Sequence, residues 1–262
     1  MKETKRENLL DTAIEAAKAG GAILKKNYGQ PIKVEHKGAI DLVTEVDKLS
    51  EKVIIDILKK KYPEHTILSE EKGLKKKDSP YKWIVDPLDG TTNYAHGYHV
   101  FCVSVALEID REVVLGVIYD PILEEIFIAQ KGKGAYLNGK KISVSKIQSL
   151  SDSLLVTGFP YDIRKNTDDN INHFRNFCKR AQAVRRPGSA VLDLCYVAIG
   201  RFEGFWEMKL FPWDVAAGAL LVTEAGGKVT DFKGNSFDIY GKEVLASNGF
   251  VHKAMVEVLA SK

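Results

Sequence analysis

At 262 residues, 45% of them hydrophobic, the chain carries enough apolar content for one large core or two modest ones, which excludes intrinsic disorder. Lys and Arg total 38 against 35 Asp and Glu, so the net charge of +3 is a small difference between two interspersed sets and predicts no nucleic-acid footprint. The Lys75-Lys76-Lys77 triplet reads as decoration of a solvated loop. Cys102, Cys178 and Cys195 are odd in number and form no C-x-x-C pair, which points to a reduced, cytoplasmic setting. The charged opening M-K-E-T-K-R and the lack of an apolar run near the ~18 residues of a membrane span argue against a signal peptide or a membrane anchor.

Along the chain, Leu9/Leu10, Ala13/Ile14, Ala17 and Ile23/Leu24 recur at helical spacing, predicting an amphipathic helix from Glu3 to Tyr28 that ends before Gly29 and Pro31. A second helix is expected from Asp47 to Lys60, with Leu49, Val53 and Ile57 on one face. Between Trp83 and Lys140 the texture becomes that of neighbouring antiparallel strands at 84–85, 101–109, 113–119 and 126–129, with a turn at Asn138-Gly139. After Ser145 short strands and helices alternate: a strand at 154–158, and helices near Asp168 to Arg180, Ser189 to Ile199 and Trp213 to Ala225. Strands near Gly227 to Asp231 and Val244 to Ser247 follow. A soft boundary near 145 separates an N-terminal lobe, 1–145, from a C-terminal lobe, 146–262. No flexible linker marks it, so the two are expected to pack tightly around a shared cleft.

The stretch W-I-V-D-P-L-D-G-T-T-N at 83–93 drives a strand into two carboxylates, a glycine and two hydroxyls. Pro87 between Asp86 and Asp89 disfavours regular pairing, so the chain is expected to turn and to aim both acids into one space. Two such carboxylates repel unless a hard cation with oxygen ligands sits between them. Gly90-Thr91-Thr92 is expected to open a helical turn whose free N–H groups favour phosphate. An ordinary Asx turn is the bland alternative. Three further acidic features bear on the choice. Glu70-Glu71 follow the apolar run T-I-L, so one acid can enter a cleft while the other stays in water, or both are solvated. Asp47 stands at the head of the second helix, where an N-terminal cap is the default. Asp214 heads a helix apolar nearly all round, and a buried helix leaves its acid in need of a partner.

Three separated segments, Asp86-Pro87-Leu88-Asp89-Gly90-Thr91-Thr92-Asn93, Trp213-Asp214-Val215-Ala216-Ala217-Gly218 and Glu224-Ala225-Gly226-Gly227, resemble the inositol monophosphatases. The likeness extends through D-L-V-T-E-V-D at 41–47, S-E-E at 69–71 and G-S-A-V-L-D-L-C-Y-V-A-I-G at 188–200. At R-F-E-G-F-W-E-M-K-L-F-P-W-D, 201–214, it is most similar to the bacterial, extragenic-suppressor branch. The resemblance implies a mixed α/β (α+β) fold, a layered α/β/α/β/α sandwich with its site between the lobes. It further implies that Glu70, Asp86 and the Leu88 carbonyl hold one Mg²⁺ and Asp86, Asp89 and Asp214 a second, with Glu70 reaching a third. Thr91, bonded to Asp47, is implied to orient and deprotonate the attacking water, since a threonine hydroxyl alone is a poor base. Gly90, Thr91 and Thr92 are implied to cradle the phosphate, and Asp89, Ala190, Glu207 and Asp214 to face the substrate. Glu71 is expected to act electrostatically if at all.

The implied activity is Mg²⁺-dependent hydrolysis of a small polyol phosphate, foremost myo-inositol 1-phosphate, in a lithium-sensitive homodimer. Fructose 1,6-bisphosphate is the alternative substrate, alone or as a second one; a 3′-phosphonucleotide is less expected, since no insertion supplies room for a base. A role as a binding subunit with a transcription-factor partner is the alternative of another class. Departures from the animal enzymes are Ser69 before the acid pair and a mobile loop reading His36-Lys37-Gly38-Ala39-Ile40. His96 and His99 lack further ligands nearby and read as structural or surface residues. Lys131-Gly132-Lys133-Gly134 reads as hairpin punctuation. The aromatics Phe202, Phe205, Trp206, Phe211 and Trp213 read either as packing behind the site or as a subunit contact.

Overall fold

The opening periodicity folds as α1 (Glu3–Asn27), which buries Leu9, Ala13, Ala16, Ala17 and Leu24. In the computed structural model of the chain, residues 3–36, 38 and 41–261 are described; Lys37, Ala39 and Ile40 of the loop singled out above, and the side chain of His36, lie outside that description. A hairpin that periodicity did not reveal, β1 (Val34–His36) and β2 (Leu42–Thr44), leads into α2 (Glu45–Lys61). This helix begins two residues before the expected start because Thr44 caps it. The Thr44 hydroxyl accepts from the Val46 N–H at 3.1 Å, while the Asp47 carboxylate accepts the Thr44 N–H at 2.9 Å. Asp47 is therefore not the cap residue but its reciprocal partner within the first turn.

β3 (Thr66–Ser69), β4 (Gly73–Lys75) and β5 (Tyr81–Asp89) precede the short α3 (Thr91–Ala95), and β6 (Cys102–Ile109), β7 (Glu112–Asp120), β8 (Glu125–Gln130), β9 (Gly134–Leu137) and β10 (Lys140–Lys141) follow it. They form an eight-stranded sheet in the order β10-β9-β8-β7-β6-β5-β3-β4, antiparallel except where β3 lies beside β5. The chain then supplies β11 (Leu154–Thr157), α4 (Ile171–Cys178), β12 (Ala183–Arg185), α5 (Ala190–Ala198), β13 (Gly204–Met208), α6 (Pro212–Glu224), β14 (Lys228–Thr230), β15 (Glu243–Ser247) and α7 (His252–Ala260). Their strands make a five-stranded sheet, β12-β11-β13-β15-β14, in which β11 runs parallel to both neighbours. The two large sheets thus draw on chain segments either side of residue 145.

Strand alternation explains the layering. Trp83 and Val85 of β5 face α1 and α2, where they pack with Leu24, Ile54 and Leu58; Ile84 between them faces the other way, into the core around α5 and α6. The second sheet repeats the device. Val156, Phe205, Val244 and Ala246 point at α5 and α6, whereas Leu155, Trp206 and Leu245 pack beneath α4 and α7 against Phe177, Met255 and Val258. The result is the α/β/α/β/α sandwich, with α5 and α6 as its buried middle layer. That position accounts for α6 burying Val215 through Val222 without a polar face.

Three sequence features take definite form here. The break expected at Pro87 is a bulge: β5 pairs Asp86 with Ser104 and Asp89 with Cys102, so three steps on one strand oppose two on the other. The Lys131-to-Gly134 turn is fastened to α6, whose Glu224 carboxylate accepts the Gly132 and Gly134 N–H groups at 2.7 and 2.8 Å. The aromatic cluster divides: Phe202, Phe205 and Trp206 are core, while Phe211, 52% exposed, stacks on Trp213 with centroids 4.9 Å apart. Among the described residues no helix is long and apolar enough to cross a membrane.

Candidate active site

The β5 bulge rotates consecutive acids toward one cleft. Asp86 is 1% exposed, and its Oδ1 accepts the Leu88 N–H at 3.0 Å, closing an Asx turn across Pro87. Gly90 then reverses the chain at φ +93°, where a Cβ would stand 2.8 Å from the Val100 carbonyl, so both backbone conformation and space demand glycine. Thr91 follows as the first residue of α3. Its hydroxyl lies 2.9 Å from Asp47 Oδ1 and 3.1 Å from the Leu88 carbonyl. Asp47 is fully buried, and burial raises its carboxyl above the ordinary range, opposed by the hydrogen bonds from Thr44 and Thr91.

Two further acids come from the second half of the chain or bind to it. Asp214 accepts the Phe211 N–H at 2.7 Å in the first turn of α6. Asp89 reaches the start of α5, where its Oδ2 accepts the Ser189 hydroxyl and the Val191 N–H, the latter at 2.9 Å. A helix N-terminus favours an anion. Even so, burial pushes Asp89 up to about 6, against the bonds from Ser189, Val191 and Ala190. Burial, then Glu70, Asp89 and Asp214, push Asp86 well above the carboxylate range; burial and Asp89 do the same to Asp214.

One oxygen each of Asp86, Asp89 and Asp214 can be chosen so that all lie within 4.8 Å of one another. Glu70 and Asp41 line the same cleft of about 280 Å³, as do Leu88, Gly90 and Thr91, and among the described residues no basic side chain is in its lining. The gathered oxygens of Asp86, Asp89 and Asp214, whose carboxyls burial raises above the ordinary range, are the donor set of a hard divalent cation. Glu71 separates from Glu70 and acts on Lys48 instead.

The cleft continues into a second pocket that shares Asp89, Tyr161, Phe211 and Asp214 with it and adds Ala190, Asp193, Arg186 and Glu207. Glu207, on β13, is 7% exposed, and burial raises it to about 8 against the pull of Arg186. Thr92 is solvent-exposed on α3. Asp86, Asp89, Asp214, Glu70, Leu88, Gly90 and Thr91 are therefore brought together, Asp47 stands one hydrogen bond behind them, and Ala190 and Glu207 lie in the adjoining pocket. Sequence reasoning gave no role to Ser189, Asp193, Arg186 or Tyr161. Ser189, before an apolar helix, was legible as an N-cap, but its bond to an acid 100 residues away was not.

One face of α2 aligns three parts of the site. Asp47 holds Thr91, Ser50 donates to the Pro87 carbonyl at 2.9 Å, and Glu51 accepts the Lys72 N–H at 2.9 Å while pairing with the Lys72 ammonium. Glu51 thereby fixes the turn that carries Glu70. Glu51→Ala should weaken divalent-cation binding about 10-fold or more, as loss of a supporting carboxylate does. Calorimetric Mg²⁺ titration checks it, and Glu51→Gln, which keeps an acceptor for the Lys72 N–H, should recover part of the affinity.

A sequence profile described as the inositol monophosphatase family matches residues 5–262. An inositol-1-monophosphatase of Synechocystis sp. is 45% identical over 96% of this chain and 88% of its own. The Nus factor SuhB of Escherichia coli strain K12 is 44% identical over 95% of this chain and 94% of its own. Among solved structures, an inositol monophosphatase from Anabaena superposes with a TM-score of 0.89 at 45% identity, covering 97% of this chain and 96% of that one.

Proposed function

The chain belongs to the inositol monophosphatase family, and on that premise we propose that it is a Mg²⁺-dependent phosphomonoesterase that hydrolyses myo-inositol 1-phosphate to inositol and phosphate. The observation that carries the reading is the Thr91–Asp47 hydrogen bond set against the rim of the Asp86, Asp89 and Asp214 cluster. In this reading Asp86, Asp89, Asp214, Glu70 and the Leu88 carbonyl would hold two Mg²⁺ ions, with Glu70 also serving a third. When bound, the ions supply the positive charge and Lewis acidity that a phosphate monoester needs for displacement.

The chain's own groups do the rest. Thr91 donates its proton to Asp47 Oδ1, which leaves the hydroxyl lone pairs free to accept a proton from the attacking water. Asp47 receives the charge that Thr91 cannot hold, and its burial raises its proton affinity in the direction a base requires. The backbone of Gly90, Thr91 and Thr92 offers the free N–H groups of a helix start to the phosphate oxygens. Asp89, Ala190, Glu207 and Asp214 meet the polyol hydroxyls. The same reading takes the lobes 1–145 and 146–262 as one working unit in a lithium-sensitive, cytoplasmic homodimer.

The test is phosphate release from inositol 1-phosphate, fructose 1,6-bisphosphate and a 3′-phosphonucleotide, side by side, with Mg²⁺ and with chelator. Chelator-sensitive release led by inositol 1-phosphate supports the reading; release led by fructose 1,6-bisphosphate replaces it with the alternative substrate. No release from folded, Mg²⁺-loaded protein overturns it. The Escherichia coli relative's name, Nus factor, favours a second reading in which the chain also binds within a transcription complex. Capture of RNA polymerase factors by an Asp86→Asn variant as well as by the wild type would separate that role from catalysis.

A further inference from the structure

We propose that Lys209 is a positioning residue: it latches the loop of residues 159–169 over the second pocket and thereby holds Tyr161 as a lid at the mouth that this pocket shares with the acid-lined cleft. The inference rests on the phosphatase reading above.

The loop runs from β11 to α4 and is closed at its base. The Asn170 amide donates to the Thr157 hydroxyl at 2.9 Å and to the Gly158 carbonyl at 2.7 Å, while its oxygen accepts the Trp206 indole N–H at 2.8 Å. Asn170 is buried, so the two ends meet at one fixed point, the form of an Ω-loop. Beyond that base the loop is largely solvated, with Arg164 through Asp168 exposed. Lys209 ties the tip down. Its ammonium donates to both carboxylate oxygens of Asp162, at 3.1 and 2.9 Å, and to the Asp168 carbonyl at 2.8 Å. All three donors of the ammonium are thus engaged by the two arms of one loop.

The latch has a firm mounting. Lys209 follows β13 at φ +62°, a conformation that an ordinary residue keeps only where its surroundings fix it, and its N–H donates to the Lys242 carbonyl at 2.6 Å. Tyr161, next to the latched Asp162, lines both the second pocket and the acid cleft. Among the described residues it makes no hydrogen bond of its own, so the loop sets its place. The Asp162 side chain is 43% exposed, and an ion pair so open to water is weak and screened by salt. The lid is accordingly held yet free to open, as a site that admits an ester and releases two products requires.

Trypsin reads the latch directly, because Arg164 and Lys165 lie between the two tied points. Cleavage after them should run about fivefold faster in Lys209→Met than in wild type, a shift of about 1 kcal/mol. Kinetics on myo-inositol 1-phosphate with Mg²⁺ read the consequence. Lys209→Met should raise KM about fivefold and leave kcat within about twofold, since the lid serves the bound ester and its transition state alike. Tyr161→Ala should raise KM at least as much, and the double variant should match Tyr161→Ala, because Lys209 acts only through that ring. Equal trypsin rates, an unchanged KM in Lys209→Met, or losses that multiply in the double variant would overturn the inference while leaving the phosphatase reading intact. A wild-type protein that hydrolyses no ester overturns both. Should Lys209→Met fail to fold, Asp162→Asn cuts the same pair from the solvent side and is held to the same three criteria.

Discussion

Asp86→Asn should make the metal-free protein more stable while abolishing turnover and the Mg²⁺-dependent rise in Tm. Asp86 is buried beside Glu70, Asp89 and Asp214, and among the described residues no cationic side chain lines the cleft, so without an ion it either carries an unpaired charge or holds a proton that the unfolded chain has released. An amide removes that cost, about 1–3 kcal/mol for a buried polar group of this kind, and its oxygen still accepts the Leu88 N–H. At this chain length each kcal/mol moves Tm by about 2–4 °C. Thermal unfolding with and without Mg²⁺ reads both effects, and a variant that is destabilised without metal yet still stabilised by it would remove Asp86 from the ligand set.

The same physics fixes a pH dependence. A carboxyl whose pKa is raised on folding keeps its proton in the native state where the unfolded chain has lost it, so stability falls as pH rises through the raised value. For Asp89 that value is about 6 and for Glu207 about 8. His252, buried between Thr230 and Ser247 and lowered to about 4, has the opposite sign, costing stability as pH falls below its ordinary value of 6.5. Asp89 has released its extra proton by about pH 6, so between pH 6.5 and 8, where His252 no longer titrates, the fall is carried by Glu207. The metal-free protein should therefore melt at progressively lower temperature across that window, as thermal unfolding at a series of pH values would show.

Asp47→Asn is expected to lower kcat by about 10²- to 10⁴-fold, the range for losing a general base, while leaving the Mg²⁺-dependent Tm rise in place. An asparagine keeps one acceptor but turns a donor toward either Thr44 or Thr91, so the proton path from Thr91 ends there. Thr91→Val should lose a comparable factor and Thr91→Ser should recover most of it. Steady-state kinetics with a parallel metal titration distinguish these outcomes, and an Asp47→Asn enzyme within threefold of wild-type kcat would sink the relay.

The acids of the site were legible where local chemistry announced them. Asp86 and Asp89 flank a proline at a strand end, and Asp214 heads a helix with no polar face, so each posed a visible problem of unpaired charge. The strands from β5 to β8 were equally plain in their apolar runs. What local pattern could not supply was contact across the chain. Asp89 meets Ser189 and Val191, Ser50 meets Pro87, and Glu51 meets Lys72, all pairings made only when the layers stack. Strand β13 escaped because Phe205, Trp206 and Met208 are bulky on both faces, hiding the alternation that reveals a half-exposed strand. Pro87 was read correctly as an interruption, but whether it would end the strand or be absorbed as a bulge, with pairing resumed at Asp89, depends on the partner strand β6 and was not legible locally.

The three contacts of α2 fall at Asp47, Ser50 and Glu51, spacings of three and four that place them on one helical face. A small rigid-body shift of α2 consequently carries the Thr91 acceptor, the Pro87 peptide and the Glu70 turn along together, preserving their mutual spacing. The site behaves as parts mounted on one jig. Substitutions on the solvent side of that helix, such as the exposed Lys52–Asp56 pair, become mechanically neutral, whereas insertions between β3 and β5, which move one part against the others, do not.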